Sequence, residues 1–526
     1  MVPGSEVTTD APAAADGQSV RPGRLRKLSP GLPLVAVLAV QAGLSLRLVH
    51  FNTAFQDEAL YLWAGHLEIA HMLHGTPVPA FPTFFSGAPV VYPPLGAMAD
   101  SIGGLTGARV LSLCLMLGAT SLLWATTSRL YGGRAAFFAA GLWSVLGPTL
   151  HLGAFATFDA MSLFFVALAA WCATAGRMRE DATGWILATT GALVVANAAK
   201  YASAIFDPTV IGMAWLSACP RPGGKIAARR ATLLVTCVAG LLAILARIGG
   251  LYYSVGIRQT TLTRVVGTNT VGQVLAESAE WVGVVIVVAL AGAVIGLVRE
   301  DARTGKLLLV LLAGTALLVP LEQARIHTTT ALDKHVDFGA WFAMIAGGYA
   351  ISVLIGFIRP RAVRAAACGI CAVSLGLPAM LGLSQAKVLF NWPHTARFVA
   401  ALAPLVDHGN GHLLVETPSI PEYYLAAGQQ WLRWSSTWNI RLPSGKSVGS
   451  QGVGRQGNPA VFNDFIVKHY FSVIALNFNA TPDLDQHIAA DIKTTPGYRI
   501  VARIPYGRIG HYVIWVDQHP AKAGPR

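Results

Sequence analysis

Apolar blocks of roughly 17 to 23 residues follow one another between short polar interruptions, the length an α-helix needs to cross about 30 Å of hydrocarbon. The pattern predicts spanning helices over 32–50, 108–128, 134–150, 158–176, 184–200, 203–219, 231–248, 281–298, 306–320, 337–358 and 362–384, about eleven crossings in all. Stretches that alternate apolar and polar residues over about ten positions do not occur, so a β-barrel is excluded. The region 184–219 is interrupted by Lys200 and by Asp207-Pro208. Basic clusters on both of its flanks demand an even number of crossings, and it is read as two. The segment 93–107 is too short and too rich in glycine to span alone, and it reads as a re-entrant or interfacial piece.

From about residue 386 the texture changes. Asn, His, Gly and Pro become frequent, and strand-like runs appear at His412 to Glu416, Ser472 to Asn477, Tyr498 to Ile504 and Tyr512 to Val516, with helix-like stretches between them. The pattern therefore divides the chain into three parts: a disordered tail over 1–31, a helical membrane core over 32–385 with a long loop at 51–107, and an α/β domain over 386–526. The apolar run after the tail lacks a small-residue cleavage site and is read as a retained span.

Composition agrees with a chain solvated mostly by lipid. It is 54% hydrophobic and 12% charged over 526 residues, against about 25% charged in an ordinary soluble domain. The net charge of +13 would point to nucleic acid in a soluble protein, but here the basic residues sort by side of the membrane. Arg21, Arg24, Arg26 and Lys27 precede the first span, and Arg129 with Arg134, Arg177 with Arg179, Arg221 to Arg230, Arg299 to Lys306 and Arg359 to Arg364 fall in alternate connections. Those connections are read as cytoplasmic, which puts the N-terminus inside and the α/β domain outside a cell membrane, with no nucleic-acid partner. The six cysteines lie in or at the ends of apolar runs and imply no disulfide framework; the CxxC pair Cys368 and Cys371 reads as helix packing.

Candidate chemistry gathers on the outer connections. The first reads Phe55-Gln56-Asp57-Glu58-Ala59-Leu60-Tyr61-Leu62-Trp63, with two adjacent carboxylates that cannot face the same way. Both also suit a helix N-terminus. Asp159 and Lys200 stand at the ends of apolar runs, where an ionisable group is costly and is a functional candidate by default. The connection from Glu322 to Asp337 packs His327, Asp333, Lys334, His335 and Asp337 into a short stretch. Glu68, His71 and His74 have one-turn spacing that suits either a metal or a headgroup surface. Trp431, Trp434 and Trp438 offer rings for a sugar face or for a core.

The acidic pair after the first span, Tyr92-Pro93-Pro94-Leu95, Arg109 at the start of the second span, the Tyr131-Gly132 turn, Asp159 and Lys200-Tyr201 form a set. As a set they resemble the protein mannosyltransferase, aminoarabinose transferase and RgtA/B/C/D-like families of GT-C glycosyltransferases over about residues 32 to 220. The resemblance implies a mainly α, polytopic membrane bundle of GT-C type, to which the texture after residue 386 adds an extracytoplasmic α/β appendage. It implies transfer of a sugar from a polyprenyl-phosphate donor, with Asp57 as base and Glu58 and Asp159 as supporting acids. Lys200, with Tyr201 beside it, would meet the donor phosphate; the residues themselves add Arg109, Lys334 and His335 as further contacts and a divalent cation held by the acidic residues as an optional cofactor. The acceptor is left open among protein, lipid and wall polysaccharide.

Residue chemistry supports the same direction. Nucleotide sugars are cytosolic, so carboxylates on the outer face require a donor that arrives through the membrane. The rival is a transporter or flippase of lipid-linked saccharides, for which matched internal repeats and charges in mid-span are expected. A non-catalytic assembly protein has only the outer domain in its favour.

Overall fold

The computed structural model describes residues 31–178, 182–218, 224–264, 266–358, 375–407, 411–426, 428–451, 455–508 and 510–519, with 360, 363, 366, 369 and 370 in addition. The tail before residue 31, Cys219, Cys368, Cys371 and the basic residues Arg179, Arg221, Arg359, Arg361 and Arg364 lie outside the described residues.

Among the described residues thirteen helices build the first part, in chain order α1 (Leu32–Val49), α2 (Gln56–His74), α3 (Tyr92–Tyr131), α4 (Gly133–Trp143), α5 (Gly147–Leu152), α6 (Phe158–Ala175), α7 (Thr183–Ala199), α8 (Asp207–Ala218), α9 (Gly224–Ile257), α10 (Val271–Arg299), α11 (Arg303–Thr315), α12 (Leu318–Arg325) and α13 (Leu332–Gly356). Among the described residues six of them, α1, α3, α6, α9, α10 and α13, are long and apolar enough to cross a membrane, or seven spans if α11 and α12, bent by 43°, count as one. The protein is a multi-pass membrane protein, and its described residues hold six or seven of the roughly eleven expected spans as unbroken or singly bent helices. The other five expected spans coincide with short or broken helices: α4 with α5, α7, α8 behind a 3-10 turn, α11 with α12, and a segment partly outside the described residues. A hydropathy window averages across such breaks, whereas backbone geometry resolves them.

Helix α13 is the axis of this part, and every residue from Val336 to Ala350 is buried. In contrast α9 turns Ile244, Ile248 and Leu251 outward, the surface expected of a lipid-facing helix. Helix α3 opens on Pro93 and Pro94 and is broken at Gly103 and Gly104. Gly104 sits at φ +60°, ψ −159°, a region open essentially to glycine alone. The segment expected to be interfacial is thus the front arm of a kinked helix.

Helix α14 (Gly376–Leu389) leads into α15 (Ala396–Asp407) and a five-stranded sheet. Its strands are β1 (His412–Val415), β2 (Trp434–Ser435), β5 (Phe471–Leu476), β6 (Tyr498–Pro505) and β7 (His511–Asp517), in the order β2-β1-β5-β7-β6. The pairs β2/β1 and β1/β5 are parallel, while β5/β7 and β7/β6 are antiparallel. Strands β3 (Ile440–Arg441) and β4 (Ser447–Val448) form a separate small hairpin. Because strand side chains alternate, Leu413, Val415 and Val473 pack on α15 through Phe398 and Leu402, while Leu414, Ile474 and Trp515 join a second core. That core includes α17 (Pro459–Val467) and α18 (Pro482–Thr494) through Phe462 and Leu484. The short helix α16 (Ser419–Leu425) lies against α2 and joins this unit to the helical part.

Candidate active site

The turn from α1 into α2 carries the acidic pair. Phe55 is extended (φ −75°, ψ 161°) and hands over to a helix whose first turn holds Asp57 and Glu58, where carboxylates meet the positive end of the helix dipole. Glu58 is wholly buried: one oxygen accepts from the Phe55 N–H at 3.0 Å and the other from the Ala156 N–H at 2.8 Å. Arg109 grips it bidentately through Nε (2.8 Å) and a terminal nitrogen (2.7 Å). The remaining Arg109 donors reach the carbonyls of Val49 (2.7 Å), Asn52 (2.9 Å) and Thr53 (3.3 Å). All five N–H donors of a guanidinium are then engaged, and none is left for a ligand phosphate. Arg109 and Glu58 therefore form a knot that holds the loop.

Asp57 points the other way, as expected of its position beside Glu58, and its carboxylate meets Lys334 Nζ at 2.9 Å with the acid about one-third exposed. Lys334 stands in the first turn of α13 with its charge flanked by Asp57, Asp159 and Asp333, and its Nζ lies 5.3 Å from the centre of the Phe155 ring. Asp159 opens α6 after the extended Thr157 (φ −134°, ψ 165°), is buried, and pairs with Lys200. Lys200 terminates α7 in an extended conformation just before a 3-10 turn over Tyr201–Phe206. Its Nζ lies 5.1 Å from the centre of the Phe158 ring. The loop 86–88 is fastened to this corner: the Tyr201 N–H donates to Ser86 (2.9 Å) and the Ala88 N–H to Ala198 (2.7 Å). Gly87 lies so close that a Cβ would fall 1.9 Å from the Ala199 carbonyl oxygen.

Beside this corner lies a cavity of ≈ 500 Å³. Lys200, Tyr201, Arg264 and His335 are its basic and phenolic lining, and Ile205, Phe206, Ile257, Leu262, Ile326 and Phe338 supply apolar walls. His335 is tied to the Gln323 amide at 2.9 Å. Arg264, in the connection between α9 and α10, was not singled out in the sequence. Two arginines, Arg258 and Arg264, in a connection otherwise poor in Lys and Arg were the available signal.

The structure thus joins Asp57 to Lys334, Asp159 to Lys200, and Lys200, Tyr201 and His335 to one cavity, and draws Glu58 and Arg109 into a separate knot. Among the described residues no three His, Cys, Asp or Glu side chains converge as a metal site. His66 pairs with Asp100 at 2.8 Å and His71 with the Thr76 carbonyl at 2.7 Å. Trp434 is buried in the sheet core, and Trp431 is buried with its N–H on the Pro77 carbonyl (3.3 Å).

No family model matches the sequence, and no curated protein matches it at a significant level. The fold nonetheless matches solved structures at low sequence identity. The chain superposes on the apo oligosaccharyltransferase of Archaeoglobus fulgidus with a TM-score of 0.57 at 12% identity, covering 95% of this chain and 76% of that one. The same values hold for the archaeal oligosaccharyltransferase AglB from that organism in complex with an inhibitory peptide and a dolichol-phosphate. ArnT from Cupriavidus metallidurans bound to undecaprenyl phosphate matches with a TM-score of 0.56 at 13% identity, over 95% of this chain and 100% of that chain.

Proposed function

We propose that the protein transfers a sugar from a polyprenyl-phosphate donor to an acceptor hydroxyl on the extracytoplasmic side of a cell membrane. The observation that carries this reading is the ≈ 500 Å³ cavity, apolar over most of its wall, with Lys200, Arg264 and His335 in its lining and a carboxylate–lysine pair, Asp57 with Lys334, close by. An apolar wall fits a prenyl chain, and cations fit the phosphate that the chain carries. The phosphate-bound ligands of AglB and ArnT, read onto this chain, agree with that assignment.

The steps follow from the residues. The acceptor hydroxyl gives its proton to Asp57 as its oxygen bonds to the anomeric carbon, and the bond from that carbon to the phosphate oxygen breaks with its electron pair on the phosphate. The leaving group is already an anion, so it requires cations rather than a proton donor, and Lys200 and Arg264 supply them. A single displacement of this kind inverts the anomeric carbon. Asp159 holds Lys200 in place, and the Glu58–Arg109 knot keeps the turn before Asp57 from moving.

The test is incubation of the purified protein with radiolabelled polyprenyl-phosphate sugars and membrane extract, wild type beside Asp57→Asn. Acceptor labelling that the substitution nearly abolishes, in a protein that still folds, is the expected result. Labelling that survives unchanged removes Asp57 from the mechanism, and none with any prenyl-phosphate sugar ends the reading.

A further inference from the structure

The three residues before Phe55 are held from two sides. Beneath them is Arg109, which takes the carbonyls of Asn52 and Thr53. Above them is the C-terminal unit together with the segment that leads into it. The Asn52 amide donates to the carbonyls of Phe390 (2.9 Å) and Trp392 (2.6 Å), and the Trp392 ring N–H donates to the Thr53 carbonyl (3.0 Å). The Thr53 hydroxyl oxygen accepts from both the N–H (3.1 Å) and the hydroxyl (2.9 Å) of Thr395. The Ala54 N–H donates to the Tyr424 phenol oxygen at 3.1 Å. The partners lie more than 330 residues away in sequence, so these are tertiary contacts: Phe390 and Trp392 sit among helices of the membrane part, and Tyr424 comes from the C-terminal unit.

The same unit touches the long loop at two further points. Tyr423, next to Tyr424 on α16, donates to Asp100 at 2.6 Å, and Trp431 reaches Pro77. The interface is dense and polar, and at residues 52–54 nearly every polar group has a partner. Buried polar groups that are all satisfied define one geometry rather than several.

We infer that the C-terminal α/β unit is a positioning element for the reactive carboxylate: Trp392, Thr395 and Tyr424 fix the backbone of residues 52–54 and so set where Asp57 stands relative to the acceptor. The inference rests on the assignment of Asp57 as base. It gives the unit a part in turnover that does not depend on acceptor recognition. Proton transfer is steep in distance, and a displacement of about 1 Å in a reacting group costs about 100-fold in rate. Contacts that hold a turn to a fraction of that distance are rate-determining without touching substrate.

The experiment compares the full chain in lipid nanodiscs as wild type, Tyr424→Phe, Thr395→Val, their double variant, Thr395→Ser, and Ile500→Thr on the exposed outer strand β6 as a control. Two quantities are read: transfer kinetics with a polyprenyl-phosphate sugar, and hydrogen exchange over residues 52–58. A fall in kcat of about 10-fold for each single variant and about 100-fold for the double is expected, with donor KM unchanged because the cavity is untouched. Exchange at the Ala54 amide should rise in Tyr424→Phe, and Thr395→Ser should restore wild-type behaviour. Full kcat in both single variants, alongside an inactive Asp57→Asn, overturns the positioning role and leaves the base assignment standing. If the wild type transfers no sugar, the base assignment fails on its own; exchange then decides the clamp, which is upheld by a rise confined to 52–58 and overturned by none or by a chain-wide rise.

Discussion

Asp57 and Glu58 adjoin in sequence and end in regions built on different principles. Around Glu58 every donor and acceptor is used: four hydrogen bonds on the carboxylate, and five donors of Arg109 placed on Glu58 and three carbonyls. Around Asp57 and Asp159 each carboxylate meets one lysine, each lysine Nζ makes one hydrogen bond among the described residues, and Lys200 also lines the cavity. A saturated ion pair has no capacity to respond to a ligand, so its contribution is to shape. An unsaturated pair can exchange its partner for a substrate phosphate or hydroxyl, which is what the proposed transfer requires.

That contrast breaks most visibly if one substitution is placed on each side. Asp57→Asn is expected to lower the transfer rate by about 1,000-fold, the middle of the range for a positioned general base, while leaving the unfolding midpoint close to wild type. Arg109→Ala should do the reverse, because removing one partner strands a buried charge at a cost of about 3–5 kcal/mol. It is measured as a drop in thermal unfolding temperature and in yield of folded protein. An Arg109→Ala protein of normal stability that fails only in donor binding would move this residue from the knot to the cavity.

Arg264→Gln sharpens the comparison from the cavity side. A charged hydrogen bond to phosphate is worth about 1.5–3 kcal/mol, so donor KM should rise by at least about 10-fold with the unfolding temperature little changed. An unaltered KM would take Arg264 out of the donor site.

The smallest expected effect concerns pH and lies in the C-terminal unit. Burial, and then the neighbouring Glu416 carboxylate, push the Asp485 carboxyl up to about 8, and burial pushes Glu422 up to about 7 against the opposing pull of Arg441. Both groups hold a proton in the folded unit that the unfolded chain has already released. The stability these two groups contribute is therefore fully present below the ordinary carboxyl range and is lost as pH rises toward about 8. Asp485→Asn should flatten that decline, as followed by unfolding temperature against pH. A slope that persists unchanged would assign it to other groups.

The long apolar helices were legible in the sequence because each repeats one message over more than four turns, as in α10 and α13. Strands β1, β5, β6 and β7 of the C-terminal unit were legible for the analogous reason, each within a residue or two of its place. Helices such as α4 and α8, at 11 and 12 residues, were not, since their hydropathy merges with that of adjacent turns. Strands β2, β3 and β4 have two residues each and exist only through their partners. Asp57, Asp159 and Lys200 stood out because polar groups at the edge of apolar runs are costly. Their pairings did not, because Lys334 lies 277 residues from Asp57 and no local pattern links them. Arg109 drew attention for its position, but its five contacts depend on backbone carbonyls that sequence does not display.

The break at Gly104 has a consequence for heredity as well as for shape. By turning the chain between Asp100 and Arg109, it lets one helix hold Tyr423 with its front arm and Glu58 with its rear. An alanine there would favour a straight rod and pull the two attachments apart. This glycine, which makes no contact of its own through a side chain, is therefore a place where mutation should be selected against.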